Sequence, residues 1–309
     1  MTRVRGGIDA LLAYVRPAFM FPAVGMSAYG GALAPAPAFE WPIAALHAGT
    51  VGLALFVAHL RDGYVDGHLR EEETPRLSVA AFRRSIWAGS AGVVALSGLL
   101  AALSGIVPAL STVALLALAL LHAPYLDRHP VTVTVDYPVG IGVALIGGHA
   151  AQATVPATAA AVAALFVGLL AGIKVGIDRL DEPFDRSIGK RTLPVAFGPD
   201  RADRIAAGLF LLTAAGTVGV GLSGAAGFLP VTPAPAVGAA FVPAACLLAT
   251  ARLAPERAVR VQMALTYAFA ALLFLSACDS GCAGIAVVEG SFDVLGQGGL
   301  DALPRAIGG

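Results

Sequence analysis

The chain has 309 residues, of which 57% are hydrophobic and only 13% charged, against roughly 25% charged in soluble domains, and its mean hydropathy is +0.79. This composition excludes a water-soluble globular enzyme and predicts a membrane protein. Twenty basic and twenty acidic residues cancel to a formal net charge of zero, so no overall field points to nucleic acid or an acidic partner.

In chain order, nine stretches approach the roughly 20 apolar residues that a spanning helix needs. They lie near 17–35, 42–60, 85–104, 107–124, 133–151, 155–174, 205–223, 235–253 and 260–278. The expectation is an all-α, polytopic bundle of about nine transmembrane helices in one membrane domain, 1–278. A Gly-rich tail, 279–309, follows without an assigned role. The polar start, MTRVRGGIDALLAYVRP, does not resemble a cleaved signal, so the first span is expected to be retained. Cys246, Cys278 and Cys282 have no histidine partners nearby and read as small core residues.

With the N-terminus cytoplasmic, 19 of the 20 basic residues fall on or beside the cytoplasmic side, and Arg305 alone lies outside. This asymmetry supports the span count and predicts that the two largest polar loops share the cytoplasmic face. Each carries a row of carboxylates. The first reads RDGYVDGHLREEETPR, with Asp62 and Asp66 one helical turn apart and Glu71, Glu72 and Glu73 following. The second reads GIDRLDEPFDRSIGKRTLPV, with Asp178, Asp181 and Asp185 at i, i+3 and i+7, the spacing of one helix face.

Such rows repel one another and are costly beside a membrane unless cations neutralise them. Hard oxygen donors at this density suit Mg²⁺, which keeps several waters and takes one or two carboxylates plus substrate phosphates. A diphosphate held through metal between two helix ends is the expectation, with Arg70, Arg128, Lys174, Lys190 and Arg191 as basic candidates for its charge. Solvated loops and headgroup anchoring are the plainer alternatives for the same residues.

At DRLDEPFDRSIGKRTLPVAFG, residues 178 to 198, the chain resembles the UbiA superfamily of intramembrane prenyltransferases, whose second aspartate motif is DxxDxxxD before a G-K-R-T-L-P-V stretch. Arg16-Pro17 and Tyr125 are weaker marks of the same likeness. The resemblance implies nine helices around a central cavity, two acidic motifs at its cytoplasmic mouth, Mg²⁺ dependence, and transfer of an isoprenyl group from an isoprenyl diphosphate to a lipophilic acceptor in the bilayer. It implies metal ligation by Asp62, Asp66, Asp178, Asp181 and Asp185. The family's usual first motif is NDxxDxxxD; here Arg61 replaces the Asn, and the third carboxylate must come from Glu71, Glu72 or Glu73, with His68 another polar option. Glu71 stands for it in the expected ligand set.

After the fourth span, where many members carry a basic pair, this chain has Asp127-Arg128 leading into HPVTVTVDYPVG. Asp136 and Tyr137 then lie near the mouth as candidate catalytic groups. Asp136 either assists deprotonation of the acceptor or a cation's stabilisation, or simply caps the fifth span. His59 and His122, also near the mouth, are read as hydrogen-bonding in the cavity wall. Two other reactions compete: terpene cyclisation on the same scaffold, and phosphatidyl transfer, faintly suggested by D-x-x-x-D-G-x-x-R at 62–70. A transporter is the competing class, although its acidic residues would belong at mid-span.

Overall fold

A computed structural model describes residues 9–278 and 281–286. Among the described residues the named helices are α1 (Pro17–Ala32), α2 (Trp41–His68), α3 (Val79–Ser104), α4 (Ile106–His122), α5 (Pro130–Ala150), α6 (Ala157–Leu180), α7 (Glu182–Ser187), α8 (Leu193–Phe197), α9 (Pro199–Ala225), α10 (Pro233–Ala239), α11 (Phe241–Arg252) and α12 (Pro255–Ala277). Proline is the first residue of α1, α5, α9, α10 and α12, where its missing N–H costs no helical bond and its fixed φ suits the first turn.

Seven segments are long and apolar enough to cross a membrane, counting α10 with α11 as one, and α4 is a shorter apolar helix. With α1 they correspond one for one to the nine expected spans. The eighth span, made of α10 and α11, breaks at Ala240 because Pro243 cannot donate to the carbonyl of Ala239 and its ring crowds it. The chain is an integral membrane protein, and its lipid-facing apolar side chains, such as Phe21, Trp87 and Leu212, are exposed on the helix bundle.

Two large apolar cores fill the bundle, and a small third cluster gathers Tyr14, Leu60 and Phe82. One unites α1 to α5 around Val51, Val57, Val93 and Ile141; the other unites α6 with α9 to α12 around Phe166, Phe210, Phe269 and Leu273. They meet where α1 crosses α5 and α5 packs on α6. The α1/α5 crossing needs glycine: a Cβ at Gly30 would come within 2.0 Å of the Leu145 carbonyl oxygen, and one at Gly148 within 2.0 Å of that of Ser27. Small residues let membrane helices approach backbone to backbone. Beside this crossing His47 bridges Ser27 at 2.7 Å and Ser111 at 3.0 Å, so both ring nitrogens are satisfied.

At the end of the bundle away from the acidic loops, the segment after α12 is tied to the α1–α2 connection. The Ala36 N–H donates to Gly281, and the Ala283 N–H donates to Ala34. Cys278 and Cys282 form a disulfide there, and Cys246 is a buried thiol. All three cysteines are buried in the second core, as expected, and Cys278 and Cys282 are joined to each other there. Of the expected tail, only 281–286 lies within the described residues.

Candidate functional site

The helices that deliver the acidic motifs run past their apolar spans. α2 continues two turns beyond residue 60, so Asp62 and Asp66 project from one continuous helix. The chain then folds back on the helix end: the Arg70 N–H donates to Val65 and the Glu72 N–H to Asp66, with Glu71 in the left-handed region at φ 59°. That turn brings Glu72 beside Asp66 and sends Glu71 outward into an exposed position. His68 is occupied structurally, bonded to the Leu77 carbonyl at 2.9 Å and packed on Phe82.

The second motif departs from a single helical face. α6 stops at Leu180, Asp181 is its cap, and α7 begins at Glu182 with Pro183 at its second position. A proline in the first turn starts a helix readily but cannot continue one. As a result Asp178 and Asp185 are buried, at 2% and 3% exposure, while Asp181 faces outward. Gly189, at φ 74°, supplies the left-handed turn that returns Lys190 toward Asp185, whose carboxylate it reaches at 3.9 Å.

A cavity of about 190 Å³ opens between the two motifs, lined by Asp62, Asp66, Arg70, Glu72, His122, Asp127 and Lys190, with Phe184 and Ile188 as its apolar side. Arg70 is its hub: the guanidinium lies 3.6 Å from Asp66 and 3.8 Å from Glu72 and donates to Asp127. Lys190 is the second cation, acting electrostatically on Asp62, Asp66, Glu72, Asp178 and Asp185 at once. Lys174 pairs with Asp178 one turn along α6. Burial pushes the Glu72 carboxyl above the ordinary range, reinforced by Asp66 and opposed by Arg70 and Lys190. Burial likewise raises Asp185, against the pull of Lys190.

Of the expected residues, Asp62, Asp66, Arg70 and Lys190 line this cavity. Asp178, Asp185 and Lys174 lie buried or half-buried beside it. Arg128 and Arg191 are exposed and outside its lining. Asp136 is buried and bonded to Nδ1 of His122, and its other oxygen accepts from the Tyr137 N–H at 2.6 Å. Tyr137 itself packs in the first core rather than in the cavity. Asp127, 2% exposed, is a site residue the sequence reading passed over in favour of its neighbour Arg128. A short 3₁₀ turn, Leu126–Arg128, points the first inward and the second outward.

Among the described residues no three carboxylates, imidazoles or thiolates converge as a preformed metal cage. The donor set is nonetheless short of cations: Asp62 Oδ1, Asp127 Oδ1 and Asp178 Oδ2 are buried without hydrogen-bond partners. Buried carboxylate oxygens without partners are costly, and hard cations that retain water and share ligation with a bound phosphate would satisfy them. A larger hollow of about 580 Å³ sits at the opposite end, but Glu40 is its one charged lining residue.

This architecture recurs in solved structures. A UbiA homologue from Archaeoglobus fulgidus, bound to DMAPP and Mg²⁺, superposes with a TM-score of 0.67 over 90% of this chain and 99% of that one, at 17% identity. The chain has the UbiA fold. A UbiA homologue from Aeropyrum pernix K1 matches with a TM-score of 0.62 over 84% of this chain and 98% of that one, at 20% identity. A digeranylgeranylglyceryl phosphate synthase matches with a TM-score of 0.67 over 88% and 98%, at 14% identity. Neither a family model nor a curated protein sequence matches the chain. Within the UbiA fold, the acidic cavity lies where the connections after α2, α4 and α6 meet.

Proposed function

We propose that the protein is a Mg²⁺-dependent intramembrane prenyltransferase that moves an isoprenyl group from an isoprenyl diphosphate to a lipophilic acceptor. The observation that carries this reading is the convergence of four carboxylates with Arg70 and Lys190 around one small cavity at the end of an apolar bundle. The UbiA homologue from Archaeoglobus fulgidus is bound to GPP in one structure and DMAPP in another, each with Mg²⁺, which supports the same ligand class here.

Asp62, Asp66 and Glu72 from one side, and Asp178 and Asp185 from the other, are the oxygen donors for Mg²⁺. Asp181 and Glu71, facing outward, are left to outer roles. The metal supplies charge neutralisation for a departing diphosphate. Arg70 and Lys190 hold the diphosphate oxygens from the protein side, Arg70 through a fork that also spans Asp66 and Asp127. The prenyl chain lies in the apolar interior, where an allylic cation is kept from water. The N-terminus and both motifs are assigned to the cytoplasmic face on the placement of basic residues.

Purified full-length protein with Mg²⁺ is expected to release diphosphate from geranylgeranyl diphosphate and to transfer the prenyl group to an acceptor. EDTA stops the reaction, and Asp62→Asn and Asp178→Asn each lose ~10²-fold or more. A cyclic hydrocarbon formed without acceptor makes the protein a cyclase instead. Wild-type rates in both variants reject the site.

A further inference from the structure

Among the described residues, His122 is the imidazole that lines the carboxylate cavity. It ends α4, and its side chain is 33% exposed. The Arg61 side chain donates to the Ala123 carbonyl at 3.0 Å, which ties this end of α4 to α2, the helix that carries Asp62 and Asp66. Nδ1 of His122 is bonded to Asp136. That carboxylate is buried, and its second oxygen accepts from the Tyr137 N–H.

The bond to Asp136 places the ring proton on Nδ1 and leaves a lone pair on Nε2. No described residue bonds Nε2. A lone pair accepts a proton or a metal ion and has nothing to donate to a diphosphate oxygen. The neighbours of His122 in the cavity wall are acidic: Asp62, Asp66, Glu72 and Asp127. Apart from the bond to Asp136, Asp62 and His122 exert the strongest through-space charge effect on each other. His59, one turn deeper on α2, differs. It lies outside the cavity lining, and both its ring nitrogens are buried without a partner, closed to any ion.

Histidines that bind metals characteristically donate their second N–H to a carboxylate, which fixes the ring and raises the basicity of the ligating nitrogen. Resting on the prenyltransferase reading, we propose that His122 Nε2 is a nitrogen ligand of the metal ion held by Asp62, with Asp136 as the positioning residue behind it. Few protein ligands are needed by an ion that keeps waters and shares a bound diphosphate. One nitrogen among oxygens changes what the site selects, because imidazole suits transition metals better than Mg²⁺. The site therefore takes Mg²⁺ but favours Mn²⁺ over it more strongly than an all-oxygen site does.

The test uses full-length protein in nanodiscs with Mn²⁺ and geranyl S-thiolodiphosphate, an analogue that does not ionise. Pulsed electron paramagnetic resonance of the unmodified complex is expected to show hyperfine coupling to a directly bound nitrogen, and His122→Asn to abolish it. His122→Asp, which supplies an oxygen donor instead, serves if the Asn variant does not fold. It keeps Mn²⁺ binding, loses the nitrogen coupling and lowers the ratio of Mn²⁺ to Mg²⁺ affinity roughly fivefold or more. Asp136→Asn weakens Mn²⁺ binding ~tenfold or more while the coupling persists, and an affinity it leaves unmoved overturns the positioning role. No nitrogen coupling in the unmodified complex overturns the proposal, as does a coupling that survives in the His122 variants or an affinity ratio unmoved by His122→Asp. Failure of the unmodified protein to bind the analogue with either metal overturns the prenyltransferase reading itself.

Discussion

Arg70 donates to Asp127 across the mouth of the bundle, joining the connection after α2 to the connection after α4. Asp127 is buried and its second oxygen has no partner, so the pair is held at one end by burial and at the other by a guanidinium shared with Asp66 and Glu72. A single ammonium cannot reproduce a fork that meets three carboxylates. Arg70→Lys is therefore expected to lose roughly tenfold or more in kcat/KM for the prenyl diphosphate, nearly as much as Arg70→Ala. A rate close to that of the unmodified protein would show that the fork is dispensable. Asp127→Ala strips the buried partner and lowers stability by about 1–3 kcal/mol, measured as a fall in thermal midpoint in detergent.

Glu71 and Glu72 are adjacent in sequence and opposite in placement. Glu71→Ala is expected to leave both Mg²⁺ dependence and rate within about twofold, since exposed substitutions away from packed features are usually mild. Glu72→Gln raises the Mg²⁺ concentration needed for half-maximal activity. Titrating Mg²⁺ against both variants separates them, and equal effects would remove Glu72 from the ligand set.

Those two outcomes bear on what the sequence could disclose. Spans, the all-α class and the two acidic loops follow from hydropathy and charge, because a bilayer demands long apolar helices and basic residues sort by side. Whether Glu71 or Glu72 faces inward depends on a left-handed turn that no composition rule locates. The i, i+3, i+7 rule failed at Asp181 because Pro183 starts a new helix. Asp127 escaped notice because a polar pair after a span gives no sign of which member the 3₁₀ turn buries. His59 was visible as an oddity, but its lack of partners is a property of packing.

Glu72 and Asp185 carry carboxyls that burial holds above the ordinary range. Between the unfolded and folded pKa the native state binds more protons, so unfolding free energy falls as pH rises through that window. The metal-free protein is expected to lose thermal stability as pH climbs through and just above the usual carboxylate range, and Mg²⁺ to restore it by binding the ionised forms. Glu72→Gln flattens the slope. A metal-free midpoint that rises with pH in that window would contradict the burial of these groups.

At the α1/α5 crossing, Gly148→Val must push a side chain into the Ser27 backbone, where rearrangement costs about 1–3 kcal/mol or more. The expected result is a lowered thermal midpoint with loss of monodisperse material on size exclusion. Gly208→Ala, on α9 with nothing within 4 Å of the added carbon, is the matched control and should be neutral or slightly stabilising.

The Cys278–Cys282 bridge gives the molecule a chemical compass. Disulfides persist in oxidising compartments and not in the reducing cytosol, and this one lies at the end of the bundle remote from Arg70 and Lys190. If the pair resists alkylation in intact cells until a reductant is added outside, that end faces outward and the carboxylate mouth opens to the cytoplasm. Two sulfur atoms remote from the cavity thereby report which way the protein points.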